Sequence, residues 1–318
     1  MTARRASLGA PAAPVVLFAW CPTSVLYLDA LAAAGAAPVL VVTGPRTPPR
    51  APLAVACERL GVPLERRADP NAPDLVARAR AADLLLVAGC ARVLGPELCA
   101  APRLGALNFH PSLLPAYRGK EPLFWSLLRG EPVVGLTVHR ITEDIDAGPI
   151  LFQREVPVPE RATSASLAPL VDREGAALVP EILALAAAGA LPEGAPPSSP
   201  GSHFPALRAE HGLLDFTRDA VEIDRLVRAA QGEIAAHTFH QGLRVLVIEG
   251  EPAAASVPGA LPGRVVAVDG DAIVVAAARG AYRARRFVFL DRVHEGPALA
   301  AALGIATGAA FTANPAFA

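Results

Sequence analysis

The chain has 318 residues, with 29 Lys plus Arg against 30 Asp plus Glu and a formal net charge of −1. That length buries a full core and suits two domains or one large one. The even charge balance gives no global pull toward nucleic acid or an anionic membrane, and no apolar run reaches the roughly 20 residues of a membrane span. Lys120 is the only lysine, so the arginine content follows a GC-rich coding sequence rather than a basic surface. Four cysteines, Cys21, Cys57, Cys90 and Cys99, are scattered without a C-x-x-C pair. This suits a reducing compartment and neither a disulfide framework nor a zinc site. The N-terminal "MTARRASLGAPAAP" carries two arginines but no long apolar core, so no signal peptide is expected and the protein is placed in the cytoplasm.

In chain order, "VVLFAW" (15–20) has the apolar continuity of a buried strand. "TSVLYLDALAAAG" (23–35) follows as a helix with Thr23 or Ser24 as cap and Gly35 as stop. The next strand is 37–44, the next helix 52–61, and after a helix at 73–82 comes another apolar strand, "DLLLVAGC" (83–90). A strand at 105–110 completes the series. Apolar runs separated by helices predict an α/β fold with a Rossmann-like, mostly parallel sheet covered on both faces. The first strand–helix turn, "FAWCPTS", lacks the glycine triplet of a dinucleotide site, and no glycine-rich loop leads to a Walker lysine. From 133 onward, two strand-like stretches are separated only by "EDIDAG", too short for a crossover helix, which predicts an antiparallel pair. A helix is expected over 164–189.

Residues 189–205, "GALPEGAPPSSPGSHFP", have the composition of a linker. We therefore divide the chain into a catalytic domain at 1–190, a linker at 191–207 and a C-terminal domain at 208–318. In the last of these, 217–232 reads as an amphipathic helix with Val221, Leu226 and Val227 on its apolar face and Ile223 at the edge. Strand signals at 243–248, 264–268, 272–277 and 286–290 fit a small β-rich barrel.

Ligands of parallel α/β sheets bind at the carboxyl edge of the strands. Asn108 and His110 end the strand at 105–110, and the period of two puts both on one face. "TEDIDAGPI" (142–150) supplies Asp144 and Asp146 in a turn. An imidazole, an amide and a carboxylate can run acyl transfer: the imidazole takes a proton, the amide steadies an oxyanion, and the carboxylate orients the ring. Ser112 is a possible nucleophile but lacks a G-x-S-x-G elbow.

The stretch 105–151, "GALNFHPSLLPAYRGKEPLFWSLLRGEPVVGLTVHRITEDIDAGPIL", resembles the catalytic core of the 10-formyltetrahydrofolate-dependent formyltransferases. The shared pattern is Asn-x-His, Ser-Leu-Leu-Pro-x-(Tyr/His)-Arg-Gly, Gly-x-Thr and Asp-x-Gly, in order and at family spacing. The resemblance implies a formyltransferase fold with Asn108, His110 and Asp146 as the catalytic triad. Asp146 rather than Asp144 matches, because it precedes Ala-Gly. The formyl donor implied is 10-formyltetrahydrofolate, with no metal. "VAGCARVLGPEL" (87–98) is similar to the family segment that lines the folate pocket. Gly89, Val93 and Leu94 would hold the donor, with the backbone near Ile145 pairing the pterin. The family's Tyr in that segment is replaced here by Gly89-Cys90. Ser112, Arg118 and Gly119 would border the acceptor.

The resemblance extends past the linker to the C-terminal barrel of the tRNA and amino-sugar branches, which disfavours the single-domain glycinamide ribonucleotide branch and the hydrolase branch. Arg46 and Arg50 lie where the tRNA branch inserts a basic loop, but among four prolines they read as a trimmed turn. Arg279, Arg283, Arg285 and Arg286 read as a solvated strand face. "RGKEPLFW" departs from the tRNA branch, and Trp125 is similar to the amino-sugar and hydrolase branches. The acceptor expected is therefore a small primary amine, such as an amino-sugar nucleotide or biosynthetic intermediate. Methionyl-tRNA is the alternative, and a hydrolase or an inactive folate-binding protein follows behind.

Overall fold

The computed structural model describes residues 13–253 and 259–313, which divide into two compact units. The first comprises the chain up to Gly119, Val133–Pro157 and Ala168–His203. The second comprises Lys120–Pro132, Val158–Leu167 and the chain from Phe204 on.

The first unit is built on a seven-stranded sheet. Its strands are β1 (Val15–Ala19), β2 (Leu40–Thr43), β3 (Leu64–Arg66), β4 (Leu84–Ala88), β5 (Ala106–His110), β7 (Val133–Arg140) and β8 (Ile150–Pro157); a two-residue strand, β6 (Arg118–Gly119), lies off it. The order is β3-β2-β1-β4-β5-β7-β8, parallel from β3 to β5 and antiparallel at β7 and β8. β1, β2 and β4 are buried along their whole lengths, as their unbroken apolar sequences require. β3 escapes sequence reading because it is an edge strand with Glu65 and Arg66 and no apolar run.

Helices α1 (Val25–Ala33), α2 (Pro52–Leu60), α3 (Pro73–Ala79) and α4 (Pro96–Ala100) connect the parallel strands, and α6 (Ser164–Ala187) follows β8. Pro at the first helical position starts α2, α3 and α4, where its missing N–H costs nothing. α1 begins later than expected, because Pro22–Ser24 forms a 3-10 turn and the Ser24 hydroxyl donates to Ala88 O at 2.7 Å instead of capping. The strand order reverses between β1 and β4, so their carboxyl ends open the crevice where ligands bind in such sheets.

The second unit holds α5 (Pro122–Arg129), a short strand β9 (His203–Phe204, whose first residue closes the first unit), α7 (Ala220–Ala229) and α8 (Gly296–Leu303). Its antiparallel sheet has the order β10 (His237–His240), β11 (Leu243–Ala253), β14 (Ala281–Phe289), β13 (Ala272–Ala276), β12 (Val265–Asp269), with β15 (Arg292–Glu295) on β14. The tail segment 308–312 bonds to both edges: Phe239 and Thr312 exchange N–H···O bonds with the β10 side, and Gly308 and Phe311 bond Val265 and Gly263 on the β12 side. One segment thus bridges the two ends of the β10-to-β12 sheet, which gives this unit the form of a small barrel.

β10 was not expected from the sequence. Its His237, Thr238 and His240 are buried, so polar side chains fill positions where apolar ones would signal a strand. On α7 the buried residues include Ala220, Ile223, Asp224 and Val227, whereas Val221 is 52% exposed. Ile223 is therefore central and Val221 outward, a rotation of the expected face. Among the described residues no helix is long and apolar enough to cross a membrane.

Candidate active site

β5 brings Asn108 and His110 to the carboxyl edge of the sheet, and the antiparallel strand β7 lies beside them. Asn108 is opposite His139 and His110 opposite Thr137. The fully buried Thr137 hydroxyl donates to Ser112 O at 2.7 Å and accepts the Leu114 N–H at 3.0 Å. The loop leaving β5 is thereby tied to β7 before it turns back over the site.

His110 is 4% exposed. Its Nε2 lies 2.9 Å from Tyr117 O. A carbonyl only accepts, so Nε2 carries the proton in either charge state. Nδ1 is then the nitrogen that gains or loses a proton, and it faces Asp146 Oδ2 at 3.7 Å. Burial pushes the His110 pKa below the ordinary histidine value, outweighing the facing Asp146 carboxylate and the Tyr117 carbonyl. The resting ring is neutral near pH 7, as a proton acceptor must be.

Asp146 sits in the β7–β8 turn with φ +51°, an uncommon conformation for a residue with a side chain. Its Oδ2 accepts the Gly119 N–H at 2.9 Å, and its Oδ1 accepts from Asn108 Nδ2 at 3.3 Å. Burial alone would raise its pKa, but the contacts with His139, the facing His110 and the Gly119 N–H outweigh that and hold it at about 2. It is ionised whenever the chain is folded near neutrality. Asp144, two residues earlier, is exposed.

His139 completes the cluster and was missed by sequence reading. It is 2% exposed, its Nδ1 donates to Arg140 O at 2.8 Å, and its Nε2 stands 3.1 Å from Asn108 Nδ2 and 3.5 Å from Asp146 Oδ1. A signal was present: Thr137 and His139 are two polar residues at a period of two in an otherwise apolar strand. The Asn108 amide nitrogen thus lies within reach of both His139 Nε2 and Asp146 Oδ1.

The residues expected to border the acceptor are engaged in hydrogen bonds within the loops around the cluster. The Ser112 hydroxyl donates to Ala116 O at 2.7 Å and the residue is 2% exposed, so it builds the turn and presents no nucleophile. Arg118 Nε and Nη2 both donate to Ile145 O, at 2.8 and 2.6 Å. Its guanidinium is thus engaged with the Asp146 loop, and Gly119 serves Asp146 directly. Ile145 O is taken by this contact, which limits the pairing with a pterin expected of that backbone.

A cavity of about 300 Å³ is lined by residues that include Val93, Leu94, Cys99, Ala106, Ile141 and Thr142. Its loop is fixed by Asn71, whose amide donates to Val93 O at 3.1 Å and accepts the Gly95 N–H at 2.7 Å. Val93 and Leu94 both line this cavity. Gly89 is not among the lining residues: with φ +72°, it makes the turn after β4, where a Cβ would collide with Cys21 Sγ. Of the thiols, Cys57 and Cys99 are pushed up to about 11 by burial, which makes them poor nucleophiles, and Cys21 is exposed. Among the described residues no group of three or more His, Cys, Asp or Glu is arranged to hold a metal ion.

A Rossmann-like sheet with an amide, an imidazole and an ionised carboxylate at its carboxyl edge, followed by a small barrel, defines a group-transfer enzyme. Residues 46–183 match the formyl transferase family model, and residues 206–292 match the model of the formyl transferase C-terminal domain. The chain is 36% identical over 264 residues to a methionyl-tRNA formyltransferase of Chloroflexus aggregans, covering 78% of this chain and 85% of the relative. It is 34% identical over 296 residues to a methionyl-tRNA formyltransferase of Anaeromyxobacter dehalogenans, covering 90% and 93%. A crystal structure of HypX from Aquifex aeolicus in complex with tetrahydrofolic acid superposes with TM-score 0.64 at 20% identity, over 91% of this chain and 47% of that one; this likeness is one of fold. The chain belongs to the formyl transferase family, the 10-formyltetrahydrofolate-dependent N-formyltransferases.

Proposed function

We propose that the protein transfers the formyl group of 10-formyltetrahydrofolate to the α-amine of methionyl-tRNA, with Asn108, His110 and Asp146 as the catalytic residues. The observation that carries the chemistry is the buried cluster itself: a neutral imidazole whose free Nδ1 faces a carboxylate held at about 2. The cavity lined by Val93, Leu94, Cys99, Ala106 and Ile141 suits a flat heteroaromatic ring, so Val93, Leu94 and Ile141 would hold the donor.

In this scheme the acceptor's neutral amine attacks the formyl carbon. The C–N bond to the acceptor forms, the bond to the donor's nitrogen breaks, and the amine proton passes through His110 Nδ1 to the leaving nitrogen. Asp146 stabilises the transient imidazolium. Asn108 donates to the developing oxyanion with the N–H that makes the longer, 3.3 Å contact to Asp146 at rest.

For the acceptor, the sequence alone ranks a small amine first, and the relatives reverse that order. Methionyl-tRNA is supported by relatives of that name matching across both units. Arg46 and Arg50 are exposed and without an ion pair among the described residues, and would contact phosphate. The small-amine reading keeps one observation: Arg279, Arg283, Arg285 and Arg286 are each paired with a carboxylate, so this arginine cluster is compensated. Formylation of methionyl-tRNA and of small primary amines, measured side by side from low to physiological salt, separates the two. Efficient tRNA formylation that weakens steeply with salt is expected. Efficient turnover of a small amine with none of tRNA would reinstate the other acceptor.

A further inference from the structure

The segment with linker composition is bonded to the catalytic loop. Ser202 makes three hydrogen bonds to it: its Oγ accepts the Tyr117 N–H at 2.9 Å, its N–H donates to Pro115 O at 3.1 Å, and its carbonyl accepts the Arg118 N–H at 2.8 Å. Pro200 O accepts from Arg118 Nη1 at 3.4 Å. Gly201 has φ +68°, and a Cβ there would collide with Pro115 O. The backbone at 200–202 is therefore fitted against residues 115–118 with no room for a side chain between them.

Residues 117–119 in turn hold two ionisable members of the site, His110 and Asp146. Tyr117, with φ +61°, turns its carbonyl onto His110 Nε2. Arg118 grips Ile145 O with two N–H groups, and Gly119 donates to Asp146 Oδ2. Left-handed conformations at Tyr117 and Asp146 persist only where the surroundings over-determine them, and the contacts from 200–202 supply part of that determination.

We propose that Pro200–Ser202 is a strap that positions the His110 ring and the Asp146 carboxylate, with Ser202 and Arg118 as positioning residues. This rests on the reading of His110 and Asp146 as catalytic. The strap acts through the Tyr117 peptide: that carbonyl fixes which ring nitrogen carries the permanent proton, and so leaves Nδ1 toward Asp146. It also explains why a Pro-, Gly- and Ser-rich stretch is ordered here. Such composition allows a flexible tether, but Gly201 gives the backbone its close approach, and Ser202 supplies the hydroxyl acceptor.

The test compares Ser202→Ala, Ser202→Thr and Gly201→Ala with wild type, reading kcat, the donor Kd, the melting temperature and the His110 ring titration by NMR. Ser202→Ala is expected to lower kcat about tenfold with donor Kd and melting temperature nearly unchanged, since misplacing a catalytic group costs rate before binding. The titration and the acid limb of the kcat profile should both move to lower pH, because the Tyr117 carbonyl supports the protonated ring and loses its hold. Ser202→Thr keeps the hydroxyl and should restore both. Gly201→Ala should reproduce the loss. A Ser202→Ala protein whose His110 titration matches wild type overturns the strap, and so does a rate loss accompanied by a lowered melting temperature with an unmoved pH profile. A titration that moves while kcat does not would leave the strap standing and remove His110 from catalysis instead.

Discussion

The cluster at the end of β5 and the arginine strand β14 use charge in opposite ways. Around Asp146 two buried histidines, an amide and a backbone N–H converge, with Asn108 and Gly119 bonded to the carboxylate and His110 held by Tyr117 O. On β14, Arg283, Arg285 and Arg286 are partly exposed and answered by Asp269, Asp271, Glu249, Glu251 and Glu295 in a ladder of ion pairs. The second region has more charge and the first has more consequence. A surface pair is screened by water and contributes little, whereas a buried polar group acts at full strength and changes its neighbours' protonation. Density of charge in a sequence is accordingly a poor guide to where chemistry occurs.

The largest effect that would break this contrast lies at Asp146. Asp146→Asn should lower turnover about a thousandfold, whereas Asp144→Asn should change it by less than about threefold. Equal losses in the two proteins, assayed in parallel, would contradict the assignment. The substitution also has a pH signature. The Asp146 pKa is depressed to about 2 from an ordinary 3.8, so its contribution to stability is present above about pH 4 and is lost as pH falls through 2. Acid unfolding followed by circular dichroism should show about 2 kcal/mol of pH-dependent stability in that window for wild type, absent in Asp146→Asn. Removing the carboxylate also removes a contact that raises the His110 pKa, so any residual activity should have its acid limb at lower pH still.

A smaller effect is expected at the cavity. Ala100 is exposed on its rim, and Ala100→Trp should raise the donor Kd by about tenfold or more through filled volume, with kcat at saturating donor little changed. Calorimetric titration with a tetrahydrofolate checks this, and unchanged affinity would move the donor elsewhere. Next comes the loop at 44–51. Arg46→Ala/Arg50→Ala should lower kcat/KM for methionyl-tRNA about tenfold and reduce the log–log salt slope by about 2, one per lost phosphate contact. The smallest effect belongs to β14: Arg286→Ala should leave turnover and the salt slope within about twofold of wild type. A slope change larger than that of the Arg46/Arg50 variant would contradict the reading of β14 as a compensated surface.

Where a residue's own type announces its surroundings, the sequence is legible. The unbroken apolar runs of β1, β2 and β4 can only be buried on both faces, and Asn108 and His110 are conspicuous as polar residues closing such a strand. The β7–β8 pair was readable because its turn is too short for anything but an antiparallel return. What stayed hidden depends on partners distant in sequence. His139 gains meaning only from the register that sets it against Asn108. The cationic side chain of Arg118 suggests a ligand, yet its donors are engaged by Ile145 O. Ser202 lies in a stretch whose composition says flexible, while its bonds to residues 115–118 hold it in place. β10 carries buried histidines where a strand pattern calls for apolar residues, and the rotation of α7 followed from the buried, ion-paired Asp224, which no hydrophobic pattern weights.

The central claim is that His110 is the proton acceptor in formyl transfer. Single-turnover transfer of labelled formyl from 10-formyltetrahydrofolate, in wild type and His110→Ala with donor affinity and melting temperature measured on the same samples, addresses it most directly. The expected result is a loss of about two to four orders of magnitude in the chemical step with affinity and folding retained. Near-normal transfer by a folded His110→Ala protein would contradict the account.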